Sequence, residues 1–308
     1  MKRNAIIRII AYSLSLVLLL SILCIGLGVT LYTADYETSE TSQYEVPLIS
    51  QDDAVSTVVD AADIREINID WAAGSIKIIS DEYTDKITVM EPKMTQDKYQ
   101  MHCNTRDGKL SIEFWEERIG IHTTDISKEL LIIVPADWQC SELTIDSASA
   151  TVDVQNLSLL EAEINAASGV CGFRNCTVGT LDIQTASGDV FFSGKLNYLD
   201  FEAMSANCHL ILPNHVPVEI DMESMSGDLV LELPEDAGFA LQMDALSGDF
   251  NTDFETEMKN GKYRAYGKHQ ECMLSLDALS GDVTILKHVH GDDCYSEHSP
   301  CPDKTHHH

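Results

Sequence analysis

Hydrophobic positions obey two different rules along this chain, and the change from one to the other divides it. From Ile9 to Leu31 a mostly apolar run of 23 residues carries no charge. As a helix it would rise about 35 Å, enough to cross a bilayer core. From Ile64 onward apolar and polar residues alternate in short bursts on both sides of a small-residue bend. Alternation with period two is the mark of strands that bury one face and wet the other.

The bends supply a ruler. Gly74, Gly169, Gly188, Gly227, Gly248 and Gly281 occupy equivalent places, with Ala150 and Ala206 as variants. From Ala150 the steps are 19, 19, 18, 21, 21 and 33 residues. Seven and five places before the bend stand pairs such as Ile67 and Ile69, Leu143 and Ile145, or Leu274 and Leu276. Two and four places after it stand Ile76 and Ile78, Val152 and Val154, or Val283 and Ile285. Each unit of about 20 residues therefore predicts two half-buried strands that cannot bury their apolar side alone. Stacked in parallel, coil on coil, the units predict an all-β fold, a parallel β-solenoid or β-roll. Glycine at the bend tolerates a backbone that other residues resist.

Two stretches break the rhythm. Between 75 and 142 strand-like runs persist (Lys86–Val89, Lys98–Cys103, Lys109–Trp115, Glu129–Val134) without the spacing, predicting a wider first part with hairpin excursions. The last, 33-residue step contains Asn260-Gly261, a tight-turn dipeptide, between Glu257–Lys259 and Lys262–Tyr266. That predicts an extra hairpin inserted in the last coil. The expected organisation is a basic stub and transmembrane anchor at 1–33, an acidic stalk or linker at 34–62, the solenoid at 63–287, and a His/Cys-rich tail at 288–308.

Charge sets the address. Twenty Lys and Arg against 50 Asp and Glu give a formal net charge of −30. That balance argues against nucleic acid, whose phosphates need cations to neutralise them. Lys2, Arg3 and Arg8 precede the apolar run, whereas Asp35, Glu37 and Glu40 follow it. Positive charge stays inside, so the N-terminus is expected in the cytoplasm and the rest outside the plasma membrane, with one crossing. The run is longer than the apolar part of a cleaved signal peptide, which favours an uncleaved signal anchor. Leu23 is bulky where lipidation of Cys24 would want a small residue, so Cys24 is expected as a lipid-facing or packed thiol.

Candidate chemistry is sparse. Four residues before the bends lie Asp70, Asp146, Asn165, Gln184, Glu202, Glu223, Asp244 and Asp277, a row of outward acids and amides in a stack. Asp189, Asp228, Asp249 and Asp282 form a second row just after the glycines. The expectation is a solvated, aggregation-resistant face, with weak calcium binding as the alternative. Asp249 to Glu255 is not an EF-hand, because Phe254 stands where that loop needs Gly. Cys171 and Cys208 share one inward slot two coils apart, about 9.6 Å, too far for a disulfide, and are expected as free buried thiols. In the tail, His288, His290, Cys294, His298 and Cys301 have donor chemistry for zinc or another divalent metal. A local Cys294–Cys301 disulfide and a tail without specific function stay open beside it. No His-Glu-x-x-His, no Gly-x-Ser-x-Gly and no phosphate loop occurs. The serines at the bends therefore read as corner residues, and His209 stands alone in an outward slot.

Serial Ala-x-Ser-Gly-Asp turns (Ala245 to Asp249, Ala278 to Asp282), the early Ile69-Asp-Trp-Ala-Ala-Gly-Ser-Ile76 and the late Lys262-Tyr-Arg-Ala-Tyr-Gly267 carry a resemblance. Over roughly Ile64 to Lys287 the chain resembles the bacterial "putative adhesin" domain family, domain of unknown function 4097. The resemblance implies a solenoid-like fold and frequent membrane anchoring. It also implies, for some members, genes beside cell-envelope-stress systems, and it brings no catalytic residues or cofactor. The functional expectation is a non-enzymatic, membrane-anchored surface module that binds or scaffolds envelope or extracellular protein or polymer. The alternatives are an accessory of envelope-stress signalling and divalent-metal binding through the tail.

Overall fold

The computed structural model describes residues 54–94, 99–114, 127–268 and 271–288. The expected anchor Ile9–Leu31 lies outside these residues; among the described residues no helix is long and apolar enough to cross a membrane. What is described is all-β: nineteen strands in one continuous sheet, with a 3-10 turn at Ala61–Asp63.

The first strands are β1 (Ala54–Asp60), β2 (Glu66–Asp81), β3 (Lys86–Pro92), β4 (His102–Arg106), β5 (Lys109–Glu113) and β6 (Lys128–Pro135). The repeat proper runs through β7 (Gln139–Gln155), β8 (Ser158–Ser168), β9 (Cys171–Ser187), β10 (Val190–Ser205), β11 (Cys208–Ile211), β12 (Glu219–Ser226) and β13 (Leu229–Leu233). The chain closes with β14 (Gly238–Ser247), β15 (Phe250–Thr252), β16 (Glu257–Lys259), β17 (Lys262–Ala265), β18 (Glu271–Ser280) and β19 (Val283–Lys287).

Parallel pairing in the predicted register joins the coils. Ile145 aligns with Ile164, Ile164 with Ile183, Ile183 with Phe201, and Phe201 with Met222. All five are at most 1% exposed, so each coil contributes to one shared apolar interior. Burying each such side chain stabilises the fold by about 1.5–3 kcal/mol. The corners file along one edge: a Cβ added at Gly169 would meet the carbonyl of Ala150 at 2.3 Å, and one at Gly188 that of Gly169 at 1.9 Å. Both glycines have strongly positive φ, 125° and 127°. The close approach of successive coils and the backbone conformation both demand glycine here.

Each coil has more sides than the two strands expected. Asn156 and Asn175 (φ 58° and 52°) turn the chain a second time, and the Asn175 side chain donates to Asn156 Oδ1 at 2.8 Å. A third inward column follows, in which Cys140 aligns with Leu159, Leu159 with Val178, and Val178 with Leu196.

The ends depart from chain order. The last coil, β18–β19, does not stack outermost. It is inserted between β12–β13 and β14–β15, so that Gly281 sits between Gly227 and Gly248. The β16–β17 hairpin makes this detour, turning at Asn260 and Gly261 with φ 53° and 76°, and β17 folds back antiparallel on β14. At the other end β2 is likewise second in space: β5 and β6 pair with its outer side and β7 with its inner side. There β4–β5 and β1–β3–β6 are antiparallel. The expected linker at 34–62 is therefore too long, because Ala54–Asp60 is a strand that covers the edge of β3 and Ala61 is buried. Its apolar side chains, Val55 and Val59 among them, are enough to half-bury one side of an edge strand. The strand expected at Lys98–Cys103 starts later, at His102, and pairs with β5.

Candidate functional surface

The outward positions before the corner converge on one broad acidic side. Asp200 lies between Asp182 and Asp221, while Glu223 lies between Glu202 and Asp277, two residues further along the same strands. Side chains two apart on a strand share a face, so the two rows form a double ladder with strands about 4.8 Å apart. Burial against neighbouring coils, and then the adjacent carboxylates, pushes Asp182, Asp221, Glu223 and Asp277 above their ordinary values. Toward the first coils the charge thins: Asn165 donates to Asp146 at 3.1 Å and to Glu163 at 3.0 Å.

The row after the glycines is not merely solvated. Asp189 Oδ1 accepts the backbone N–H of Asn207 (3.2 Å), and Asn207 Oδ1 that of Asp228 (3.0 Å). Asp228 Oδ1 accepts the N–H of Asp282 (2.9 Å), and Asp282 Oδ1 that of Asp249 (2.7 Å). Each side chain thus satisfies a corner N–H of the next coil, and the chain of bonds follows spatial rather than sequence order. A charged acceptor strengthens such bonds. The recurrent Gly-Asp is a stitch between coils.

His209 is not alone either. Its Nε2 lies 3.3 Å from Glu232 Oε1, and His288 Nδ1 lies 3.0 Å from Glu232 Oε2. His288 also bonds through its backbone N–H to Leu233 at 2.7 Å, so it belongs to the fold and the tail boundary moves past it. His290, Cys294, His298 and Cys301 lie outside the described residues. Among the described residues no group of three or more His, Cys, Asp or Glu is arranged to hold a metal ion.

The six described cysteines are free thiols, Cys103 half-buried and the others buried. Cys171 and Cys208 flank Val190, as their shared slot predicts. Burial raises both thiols, Cys171 to about 12, which leaves them inert as nucleophiles.

Sequence reasoning missed one polar feature altogether. In the first coils Lys128 and Glu91 form a buried ion pair, Nζ to Oε2 2.8 Å, with both side chains at most 1% exposed. The ammonium lies 4.7 Å from the Trp71 ring centre and 4.2 Å from that of Phe114, and it donates to the carbonyls of Tyr99 and Phe114. Glu91 Oε1 accepts from Gln100 and from the Met101 N–H. Loss of solvent lowers the Lys128 pKa against the pull of Glu91. The cluster pins the cap. A shallow cleft of about 210 Å³ opens in the same cap, lined by Val59, Asp60, Ile64, Thr105 and Arg106.

The Toastrack DUF4097 family model matches residues 37–286. Solved structures to which the chain is similar include a "putative adhesin" from Bacteroides fragilis, 13% identical, covering 76% of this chain and 97% of its own, TM-score 0.46. Another "putative adhesin", from Parabacteroides distasonis, is 14% identical with 76% and 97% covered, TM-score 0.41. A "putative lipid binding protein" from the same species is 10% identical with 78% and 98% covered, TM-score 0.34. Likeness at this level identifies no ligand. No protein of curated function matches the chain.

Proposed function

The chain belongs to the Toastrack DUF4097 family, and on that footing we propose that it is a non-catalytic module of the bacterial cell surface. Tethered by its uncharged N-terminal run, it presents its acidic side to envelope or extracellular partners in an adhesin-like or scaffolding role. The observation that carries this reading is the register that sets Asp182, Asp200 and Asp221 beside Glu202, Glu223 and Asp277. Such a ladder raises the energy of the folded chain, since like charges about 5 Å apart cost about 1 kcal/mol even in water. A surface that keeps this cost is suited to meeting something cationic or polar outside. The tether rests on the charge asymmetry around Ile9–Leu31.

Protease added to intact cells should digest the solenoid and leave a membrane-bound stub. Full-length protein in the soluble fraction of broken cells would end the tether. A photocrosslinker at Glu202 should then join the chain to surface polymer or protein. Capture of one membrane sensor instead would move the role to envelope-stress signalling.

A further inference from the structure

One column of the glycine corner changes character along the stack. Ser149 aligns with Ser168, Ser187 with Ser205, Ser205 with Ser226, and Ser280 with both Ser226 and Ser247. The residue just before each serine therefore files along the same edge. In the first coils these are Ala148, Ala167 and Ala186; in the later ones they are Met204, Met225, Leu279 and Leu246, in that spatial order. Leu246 is 85% exposed and Leu279 44%, with the two methionines half-buried. The coil closes equally well with alanine at this place, so the long side chains are not there to build the corner.

Their surroundings are one-signed. Two residues upstream, on the same side of each strand, stand Glu202, Glu223, Asp277 and Asp244. Past the corner stand Asp228, Asp282 and Asp249, all exposed. The result is an apolar ridge about 14 Å long, four strands at 4.8 Å spacing, with a row of acids on either flank. That length matches between two and three turns of an α-helix.

We propose that this ridge docks a cationic amphipathic peptide segment. The segment would lay its apolar strip on Met204, Met225, Leu279 and Leu246, with Lys or Arg on both flanks meeting the two acid rows. Methionine adapts its shape to an incoming apolar face, and flanking charge fixes orientation and excludes wrong partners. A second copy of this chain is a poor occupant because it brings the same acids, and an anionic bilayer is repelled for the same reason. The inference goes beyond the tethered-module reading and stands without it.

The test uses the full chain in phosphatidylcholine nanodiscs, with empty discs as blank. The probe is a fluorescent 14-residue helical peptide of Leu and Lys, paired with a scrambled peptide of the same composition. Binding above the blank is expected, weakened at least about tenfold by combined M204S, M225S, L279S and L246S and weakened likewise by scrambling. The double variant L279S/L246S, confined to exposed side chains, gives the same reading if the fourfold one does not fold. Equal binding by a folded serine variant overturns the ridge. Equal binding by the scrambled peptide leaves charge alone, and signal matched by empty discs leaves only lipid; either result overturns the proposal.

Discussion

At one end of the stack Lys128 and Glu91 lie buried together beneath Trp71 and Phe114; at the other, Arg264 and Glu271 pair half in water. Both ends must stop a parallel stack whose last coil would otherwise offer open backbone to another chain. Both use antiparallel hairpins and displace a coil from chain order to do so. They differ in what holds the hairpin down. The first cap relies on a charge pair that is costly to bury and more costly to break, whereas the second relies on aromatic packing. There Phe239 meets Phe254 edge-on at 5.5 Å, and Phe250 lies 4.6 Å from Tyr263. In the second cap a single nitrogen, Arg264 Nη1, donates to both carboxylate oxygens of Glu271 at 2.8 and 2.9 Å, and water reaches the pair.

That contrast makes the largest prediction. Glu91→Ala leaves an ammonium buried without its counter-charge and should cost about 3–5 kcal/mol in urea unfolding. Arg264→Ala should cost no more than about 1 kcal/mol. Replacing both Lys128 and Glu91 by apolar residues, K128M with E91L, should recover most of the loss. Equal costs at the two ends would mean that the caps are held alike.

Glycines sharpen the same comparison one step down. Gly188→Ala drives a Cβ toward a backbone carbonyl at 1.9 Å in a residue with φ 127°, so adjacent coils must part; about 2–4 kcal/mol is expected. Gly261 in the hairpin of the second cap also has positive φ, but open space surrounds its added Cβ. Gly261→Ala should therefore cost about 1 kcal/mol, the conformational part alone. A thermal melt of each reads the difference directly.

How much of this was legible follows from what each feature depends on. The alternation of Leu181-x-Ile183 and Leu229-x-Leu231 is local, so the core and the glycine corner could be read before any coordinates. Asn260-Gly261 was legible for the same reason. Which coil neighbours which is not local. The 33-residue step allows β18 to bypass β14, and nothing in its own residues says that Met222 will lie beside Leu276 rather than Met243. The Lys128–Glu91 pair carries no periodic signature, since each charge finds its partner through the cap's pairing. The Gly-Asp rows showed as sequence. Their bonds did not, because each donor is the backbone of another coil. The ridge could have been suspected from the change from Ala-Ser-Gly to Met-Ser-Gly and Leu-Ser-Gly.

The smallest effect separates the crowded middle of the stack from both caps. Asp182, Asp221, Glu223 and Asp277 have pKa values raised in the folded chain by burial and then by neighbouring acids. Below those raised values and above the unfolded ones, the native state holds more protons than the unfolded chain. Stability contributed by these groups therefore grows as pH falls through the folded values, and it is lowest at neutral pH and above. Melting temperature should rise on moving from about pH 7 toward about pH 5. Asp221→Asn or Glu223→Gln should stabilise at pH 7 by about 0.5 kcal/mol each, less in high salt, and flatten that rise. Glu271, already matched by Arg264, should show no such gain when neutralised, and Glu271→Gln is expected to lower the melting temperature slightly. Stabilisation by E271Q together with a loss in E223Q would mean that the acids of the middle already have partners, and the ladder would cease to be a surface held ready for one.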